Sequence, residues 1–406
     1  MTTEIDEIRI DTARLAIGMY VCRLDRPWEG TPFPLQGIEV RSQDDLRTLR
    51  ELCRFVYIDR RRETRGSTRS RLAQGDRSSF RFEPTTTWST DIRVEDEVPR
   101  ARETLRTTAA LLDQIYADIA SGRELSIEQV ERVVRPLVAS VLRSADALLF
   151  LDSMRQHDNY TYGHAVSCGA LAAAFGRHMG LSEDTIMSLA SGGMLMDVGK
   201  TRIPDALLEQ TQPLSPDDMA MIRTHVAQGM AIATGGGIND PDVLDILRTH
   251  HERYDGSGYP DHLFENGIPM AGRMLAIVDS YDAMCSVRPY RPARSRHEAL
   301  QEIYRARGKL YQVELVEQFQ VCLGVYPTGS RVELSTGELA VVLQQNQVRR
   351  LRPTVLVVSD AAKRPLGEYR VFDLLGQTID GKPIEIVRSF PTDGFEVDAA
   401  GVAAIL

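Results

Sequence analysis

Six residues, LMDVGK from Leu195 to Lys200, set an aspartate and a lysine on either side of a glycine turn. An acid and a cation held that close can act on one substrate, although Lys200 could equally cap a helix end. All eight histidines, at 157, 164, 178, 225, 250, 251, 262 and 297, fall in one middle stretch of the chain. Such clustering points to metal binding, because neutral imidazole is the commonest protein ligand for transition metals. His178, next to Gly180 in FGRHMG, and His297, in RSRHEAL, read as structural or surface residues. The others keep better company: His164 in YTYGH, His225 in IRTH, and His250 with His251 in THHERYDGSGYP. Asp279 sits inside the apolar run AIVDSYDAM with Asp282 one helical turn later. A carboxylate in such a run must be paired, hydrogen-bonded or metal-bound. Together with Asp197 these residues offer the mixture of imidazole and carboxylate that Fe, Mn or Zn prefers.

The composition sets bounds on what carries these residues. A net charge of −9 argues against a nucleic-acid-binding protein, and no apolar run is long enough to cross a bilayer. The acidic start MTTEIDEIRI lacks a secretory hydrophobic segment, so a cytoplasmic protein without a membrane partner is expected. Cys22, Cys53, Cys168, Cys285 and Cys322 show no CxxC spacing, which fits buried thiols better than disulfides or a zinc site.

The texture of the chain changes three times. Residues 5–60 read as a small mixed unit. It has a strand in GMYVCRL, a loop marked by Trp28, Pro32 and Pro34, a helix behind Ser42, and a strand in FVYID. Residues 61–92, rich in Arg, Ser and Thr, read as a flexible insertion whose arginines could meet an acidic partner or simply solvent. From about Val94 to Leu323 the apolar spacing is helical, with Ser126 and Gln129 in capping-box register and Ser215 with Pro216 opening another helix. After Tyr326, SRVELSTGELAVVLQQN and TVLVVSD are β-branched runs, the first broken by a Thr-Gly turn. The expected fold is mostly α, with a small α+β domain ahead and a small β unit behind. Boundaries fall at residues 1–130, 131–325 and 326–406.

In order and spacing, LMDVGKTRIP, the His225 helix, HHERYDGSGYP, IVDSYDAM and RPYR resemble the motifs of the HD-GYP domain. This is a branch of the HD metal-dependent phosphohydrolases that hydrolyses cyclic di-GMP in bacteria. The resemblance covers roughly residues 140–325 and implies an HD-type all-helical core. The segment from Gly18 to Asp59 is similar to the accessory domain of unknown function often fused ahead of HD-GYP domains. Carried over residue by residue, the resemblance makes His164, Asp197 and Asp279 ligands of a first metal. Asp197 bridges to a second metal held by His225, His250 and His251. Lys200 contacts the scissile phosphate beside Asp197, and Arg288 and Arg291 make basic substrate contacts. Gly258, Tyr259 and Pro260 form the GYP turn, implicated in contacts with protein partners. Fe or Mn is the implied metal, cyclic di-GMP the substrate, and a homodimer a further expectation.

One departure matters most. The histidine that opens the family's HD pair is Met196 here, so one ligand of the first metal position is lost. A thioether is a soft ligand suited to Cu(I) and poorly matched to Fe or Mn. One metal instead of two is the economical expectation. Two functions follow: a phosphodiesterase of reduced activity that yields pGpG or GMP, or a degenerate module that binds cyclic di-GMP or docks a protein. Milder departures place His262 and Glu265 where glycines are usual, and Tyr160 where some members carry an extra metal-binding carboxylate.

Overall fold

The computed structural model describes residues 7–17, 19–25, 38–40, 42–59, 84–89, 92–154, 160–286, 292–346, 349–376, 378–379, 382–398, 401–402 and 405–406. The chain divides into two compact units, Met1–Arg81 and Phe82–Leu406.

In the first unit, strands β1 (Glu7–Asp11), β2 (Tyr20–Leu24), β3 (Ile38–Glu39) and β4 (Phe55–Asp59) form an antiparallel sheet in the order β1-β4-β2-β3. Helix α1 (Gln43–Leu52) opens as expected at Ser42, whose hydroxyl and the Asp45 carboxylate close a reciprocal capping box. Leu46 and Leu49 of α1 join Val21, Val56 and Ile58 in one small core. The expected loop at Trp28, Pro32 and Pro34 lies outside the described residues.

The second unit begins with residues 84–89, the end of the segment expected to be flexible. The backbone N–H groups of Thr85 and Thr86 donate to the Gly180 carbonyl, and the Trp88 indole donates to that of Leu181. The rest of the expected insertion lies largely outside the described residues. Helices α2 (Val94–Ala120), α3 (Ile127–Arg143) and α4 (Ala145–Ser153) pack on one another, and Tyr116 of α2 donates to the Met194 carbonyl. The capping box expected at Ser126 and Gln129 is formed.

Then come α5 (Tyr160–His178), α6 (Glu183–Leu195), a 3₁₀ turn (Val198–Arg202), α7 (Asp205–Leu208), α8 (Pro216–Arg223), α9 (His225–Gly235), α10 (Pro241–Thr249) and α11 (Met270–Cys285). Ser215 caps α8 with Pro216 in its first turn, as expected. Helix α11 is buried along most of its length, which explains its lack of a polar face. Helices α12 (Arg296–Arg305) and α13 (Val313–Leu323) complete the helical part. Among the described residues no helix is long and apolar enough to cross a membrane.

Strands β5 (Arg331–Leu334), β6 (Leu339–Gln344), β7 (Thr354–Ser359), β8 (Pro365–Asp373) and β11 (Ile386–Phe390) form an antiparallel sheet in the order β11-β5-β6-β7-β8. A short hairpin, β9 (Thr378–Ile379) with β10 (Lys382–Pro383), intervenes. The Thr-Gly turn falls between β5 and β6, where Gly337 takes φ +88°. Asp146 of α4 ties the sheet to the helices by accepting from the Thr328 hydroxyl and the Gln345 N–H.

Candidate metal centre

Close backbone approaches set the site. Helices α5 and α6 meet where a Cβ on Gly193 would stand 3.0 Å from the Cys168 carbonyl oxygen, so the small-residue run before Met194 lets α6 lie against the helix that carries His164. Helix α6 ends at Met196, and Asp197 leaves it at φ −99°, ψ 4°. At Gly199 a Cβ would stand 1.9 Å from the His225 carbonyl oxygen. The glycine between aspartate and lysine therefore exists to press the 3₁₀ turn against the start of α9, which puts Asp197 beside His225.

The histidine tautomers follow from their partners. Nδ1 of His225 lies 2.7 Å from the Ile222 carbonyl, and Nδ1 of His250 lies 3.0 Å from that of Ile246. A carbonyl only accepts, so both Nδ1 atoms carry the proton and both Nε2 atoms present lone pairs. Those lone pairs converge: the two Nε2 atoms are 3.5 Å apart, and Oδ1 of Asp197 lies 3.6 Å from that of His225 and 4.0 Å from that of His250. Oδ1 is buried and has no hydrogen-bond partner. Lone pairs facing an orphaned carboxylate oxygen need a cation among them. The ligand atoms of Asp197, His225, His250 and His251 all lie within 4.8 Å of one another. The residues present fit a metal ion.

Protonation states agree. Burial pushes His250 down to about 4, and burial also lowers His225 and, strongly, His251. Burial alone would raise Asp197, but Lys200, His225 and His164 outweigh it and hold this carboxyl well below the usual range. Asp279 is likewise lowered, burial being overcome by the His164 hydrogen bond and the neighbouring His251. Neutral imidazoles and charged carboxylates are the states a metal requires.

His164 stands on the other side of Asp197. Its Nε2 lies 3.2 Å from Oδ1 of Asp279 and 3.8 Å from Oδ2 of Asp197. Its Nδ1 lies 2.7 Å from Oδ2 of Asp282, a carboxylate that orients the ring. Nζ of Lys200 lies 2.6 Å from Oδ2 of Asp197. Met196 is 1% exposed and fills the interior. Cys168 approaches the His164 ring nitrogens at 3.6 and 3.7 Å, but burial pushes its thiol up to about 12, so it stays protonated and offers no thiolate.

The GYP turn lies on the paired histidines. A Cβ on Gly258 would stand 2.4 Å from the Glu252 Cα and from the Arg253 nitrogen, and Tyr259 stacks on His251 with centroids 4.6 Å apart. The Tyr259–Pro260 peptide bond is cis. In the loop beyond, His262 and Glu265 take φ 55° and 47°. The left-handed backbone that suits the family's glycines is kept here by side-chain-bearing residues.

Sequence reasoning brought His164, Asp197, Lys200, His225, His250, His251 and Asp279 to one place, as the structure does. Arg288 and Arg291 lie outside the described residues, as does the Tyr160 side chain. Two residues were missed. Asp282 was noted only as one turn beyond Asp279. Glu252, 1% exposed, accepts from the Asp261 N–H at 2.7 Å and so anchors the turn after Pro260. Its place directly after the paired histidines was the available signal. His178 bonds Gln318, and His297 bonds the Val325 carbonyl while stacking on Tyr326, so both are structural.

The family model of the HD domain matches residues 148–315, and that of a domain of unknown function, DUF3391, matches residues 7–130. A cyclic di-GMP phosphodiesterase of Pseudomonas aeruginosa is 30% identical over 374 residues, covering 91% of this chain and 90% of that protein. Another, of Thermotoga maritima, is 38% identical over 165 residues, covering 40% of this chain and 44% of that protein. Among solved structures, the HDG"Y"P protein of Bdellovibrio bacteriovorus aligns over 77% of this chain and 98% of its own at 16% identity, with a TM-score of 0.47. The matched domains, the long relative and the motifs from Asp197 to Asp279 agree: the chain belongs to the HD-GYP family of HD-domain metal-dependent phosphohydrolases, in the arrangement that carries DUF3391 ahead of the HD domain.

Proposed function

We propose that the chain is a cytoplasmic phosphodiesterase that hydrolyses cyclic di-GMP to pGpG or GMP, at a rate reduced by Met196. The observation that carries this reading is the convergence of the His225 and His250 lone pairs on the orphaned Oδ1 of Asp197, within a chain related along its length to a cyclic di-GMP phosphodiesterase.

Asp197, His225, His250 and His251 would hold the metal, with Fe or Mn suited to this oxygen and nitrogen set. When bound, such an ion supplies Lewis acidity and lowers the pKa of a water toward neutrality. The chain's residues do the rest. The Ile222 and Ile246 carbonyls fix the His225 and His250 tautomers. Lys200, its side chain 24% exposed, keeps its ammonium at the carboxylate where a scissile phosphate would arrive and offsets charge on the non-bridging oxygens. Asp282 aims His164 at Asp279 and Asp197. Arg288 and Arg291 are assigned to the substrate by the family motif alone.

The second reading, a degenerate module that binds cyclic di-GMP without cutting it, is favoured by Met196. The two are separated by following cyclic di-GMP consumption by the purified protein supplied with Mn or Fe(II), alongside Met196→His. Wild-type turnover that the histidine increases supports a weakened enzyme. Binding without turnover, restored by the histidine, supports the degenerate module. Neither binding nor turnover in both proteins rejects the assignment.

A further inference from the structure

Helix α8 buries none of its residues, so core packing does not set the position of Arg223 in its last turn. An aromatic ring does. The Arg223 guanidinium carbon lies 4.7 Å from the centroid of the Tyr259 ring. That same ring stacks on His251 and meets the His225 ring edge-on at 6.5 Å. Arg223 is exposed, and among the described residues its guanidinium forms no ion pair or hydrogen bond. A planar fork of five N–H donors is thus held by a π-face at the rim of the metal-ligating histidines, with its hydrogen-bonding edge unspent. Such a fork matches a phosphate in a way that an ammonium does not.

The proposed substrate carries two phosphodiesters, and one turnover cuts one of them. Lys200 stands at Asp197 for the phosphate that is cut. Resting on the function proposed above, we infer that Arg223 binds the second, uncut phosphodiester of the cyclic dinucleotide. It thereby selects a two-phosphate ring over a simple phosphodiester. The competing account makes the arginine a staple that pins α8 to the GYP turn and nothing more.

The test compares wild type, Arg223→Ala and Arg223→Lys on cyclic di-GMP and on bis(p-nitrophenyl) phosphate, which has a single phosphodiester. Metal per chain is measured for each protein. The ratio of kcat/KM for cyclic di-GMP over that for the model compound should fall roughly tenfold or more in Arg223→Ala, as expected when a charge-assisted hydrogen bond is lost. The fall should appear in KM, with metal content unchanged and Arg223→Lys intermediate. Should wild type bind but not turn over, the same loss should appear in the dissociation constant for cyclic di-GMP. An unchanged ratio overturns the proposal, as does a parallel loss on both compounds accompanied by loss of metal, which is the staple's signature. Wild type that neither binds nor cuts cyclic di-GMP overturns the function itself, an outcome distinct from an indifferent Arg223.

Discussion

Lys200 and Asp197 divide the work of one carboxylate: Nζ lies 2.6 Å from Oδ2, while Oδ1 is buried without a partner. The family's bridging aspartate would spend one oxygen on each of two metals. Here an ammonium already neutralises Oδ2, and Met196 stands where the family motif places a histidine. The expected stoichiometry is one metal per chain, held on the Oδ1 side by His225, His250 and His251. Met196→His should raise the count toward two. Elemental analysis of both proteins after dialysis checks this, and two tightly held metals in wild type would refute it.

Asp282 gives a second prediction, because its carboxylate lies 2.7 Å from Nδ1 of His164 and accepts from the Ser286 hydroxyl. An acceptor on the distal nitrogen of a ligating histidine fixes ring orientation and raises basicity, and its loss typically costs about 10- to 100-fold in metal affinity. In a Met196→His background, Asp282→Ala should weaken the metal on the His164 side by that amount while sparing the one held by His225, His250 and His251. Asp282→Asn should fall between, because an amide oxygen still accepts from Nδ1. Metal titration resolves the two sites; equal weakening of both would show that Asp282 supports the fold at large.

The candidate ligand set was legible in the sequence through its resemblance to the HD-GYP motifs, since each imidazole or carboxylate taken singly also had a core or surface explanation. Asp282 and Glu252 were missed because their roles depend on partners brought in by folding, and only the place of Glu252 after the paired histidines pointed to it. His164 reaches Asp282 from another helix, and the Asp261 N–H reaches Glu252 only after the GYP turn folds back. The sheet divides in the same way. Strands β6 and β7, buried along most of their length, read as unbroken β-branched runs. The edge strands β8 and β11 carry Glu368, Arg370 and Arg388 at exposed positions, and their alternation is lost among charges. The DUF3391 match runs to residue 130, whereas the compact units divide at Arg81.

The buried imidazoles make a pH prediction for the metal-free protein. His250 titrates near 4 when folded, against an ordinary value of 6.5, with burial as the leading cause. Between those two values the unfolded chain takes up the proton and the folded chain does not. Stability is therefore complete above pH 6.5 and falls as the pH drops toward 4, on the order of 3 kcal/mol for this group alone. His225 and His251 are lowered too and add to the same slope. Asp197 and Asp279, also lowered, contribute stability above their ordinary value near 3.8 and lose it only at lower pH, so they do not oppose this trend. Urea unfolding of the apoprotein at several pH values measures the slope, which His250→Gln should flatten. An identical slope in the variant would mean that other groups carry it.

Gly199 offers the strictest test of how the site is assembled. An added Cβ would meet the His225 carbonyl oxygen at 1.9 Å and the Gly229 nitrogen at 2.5 Å, both backbone atoms that cannot swing aside. Gly199→Ala must therefore push the 3₁₀ turn away from α9 and part Asp197 from His225, whose carboxylate and imidazole now stand 3.6 Å apart. Overpacking of this kind costs about 1–3 kcal/mol. The expected variant still folds, with a lower urea midpoint, and loses metal affinity out of proportion to that destabilisation. Metal titration at a denaturant-free pH of 7.5, beside the unfolding curve, separates the two effects. Full metal affinity with only a lowered midpoint would mean that His225 and Asp197 follow each other when the turn moves, and that the glycine serves packing alone.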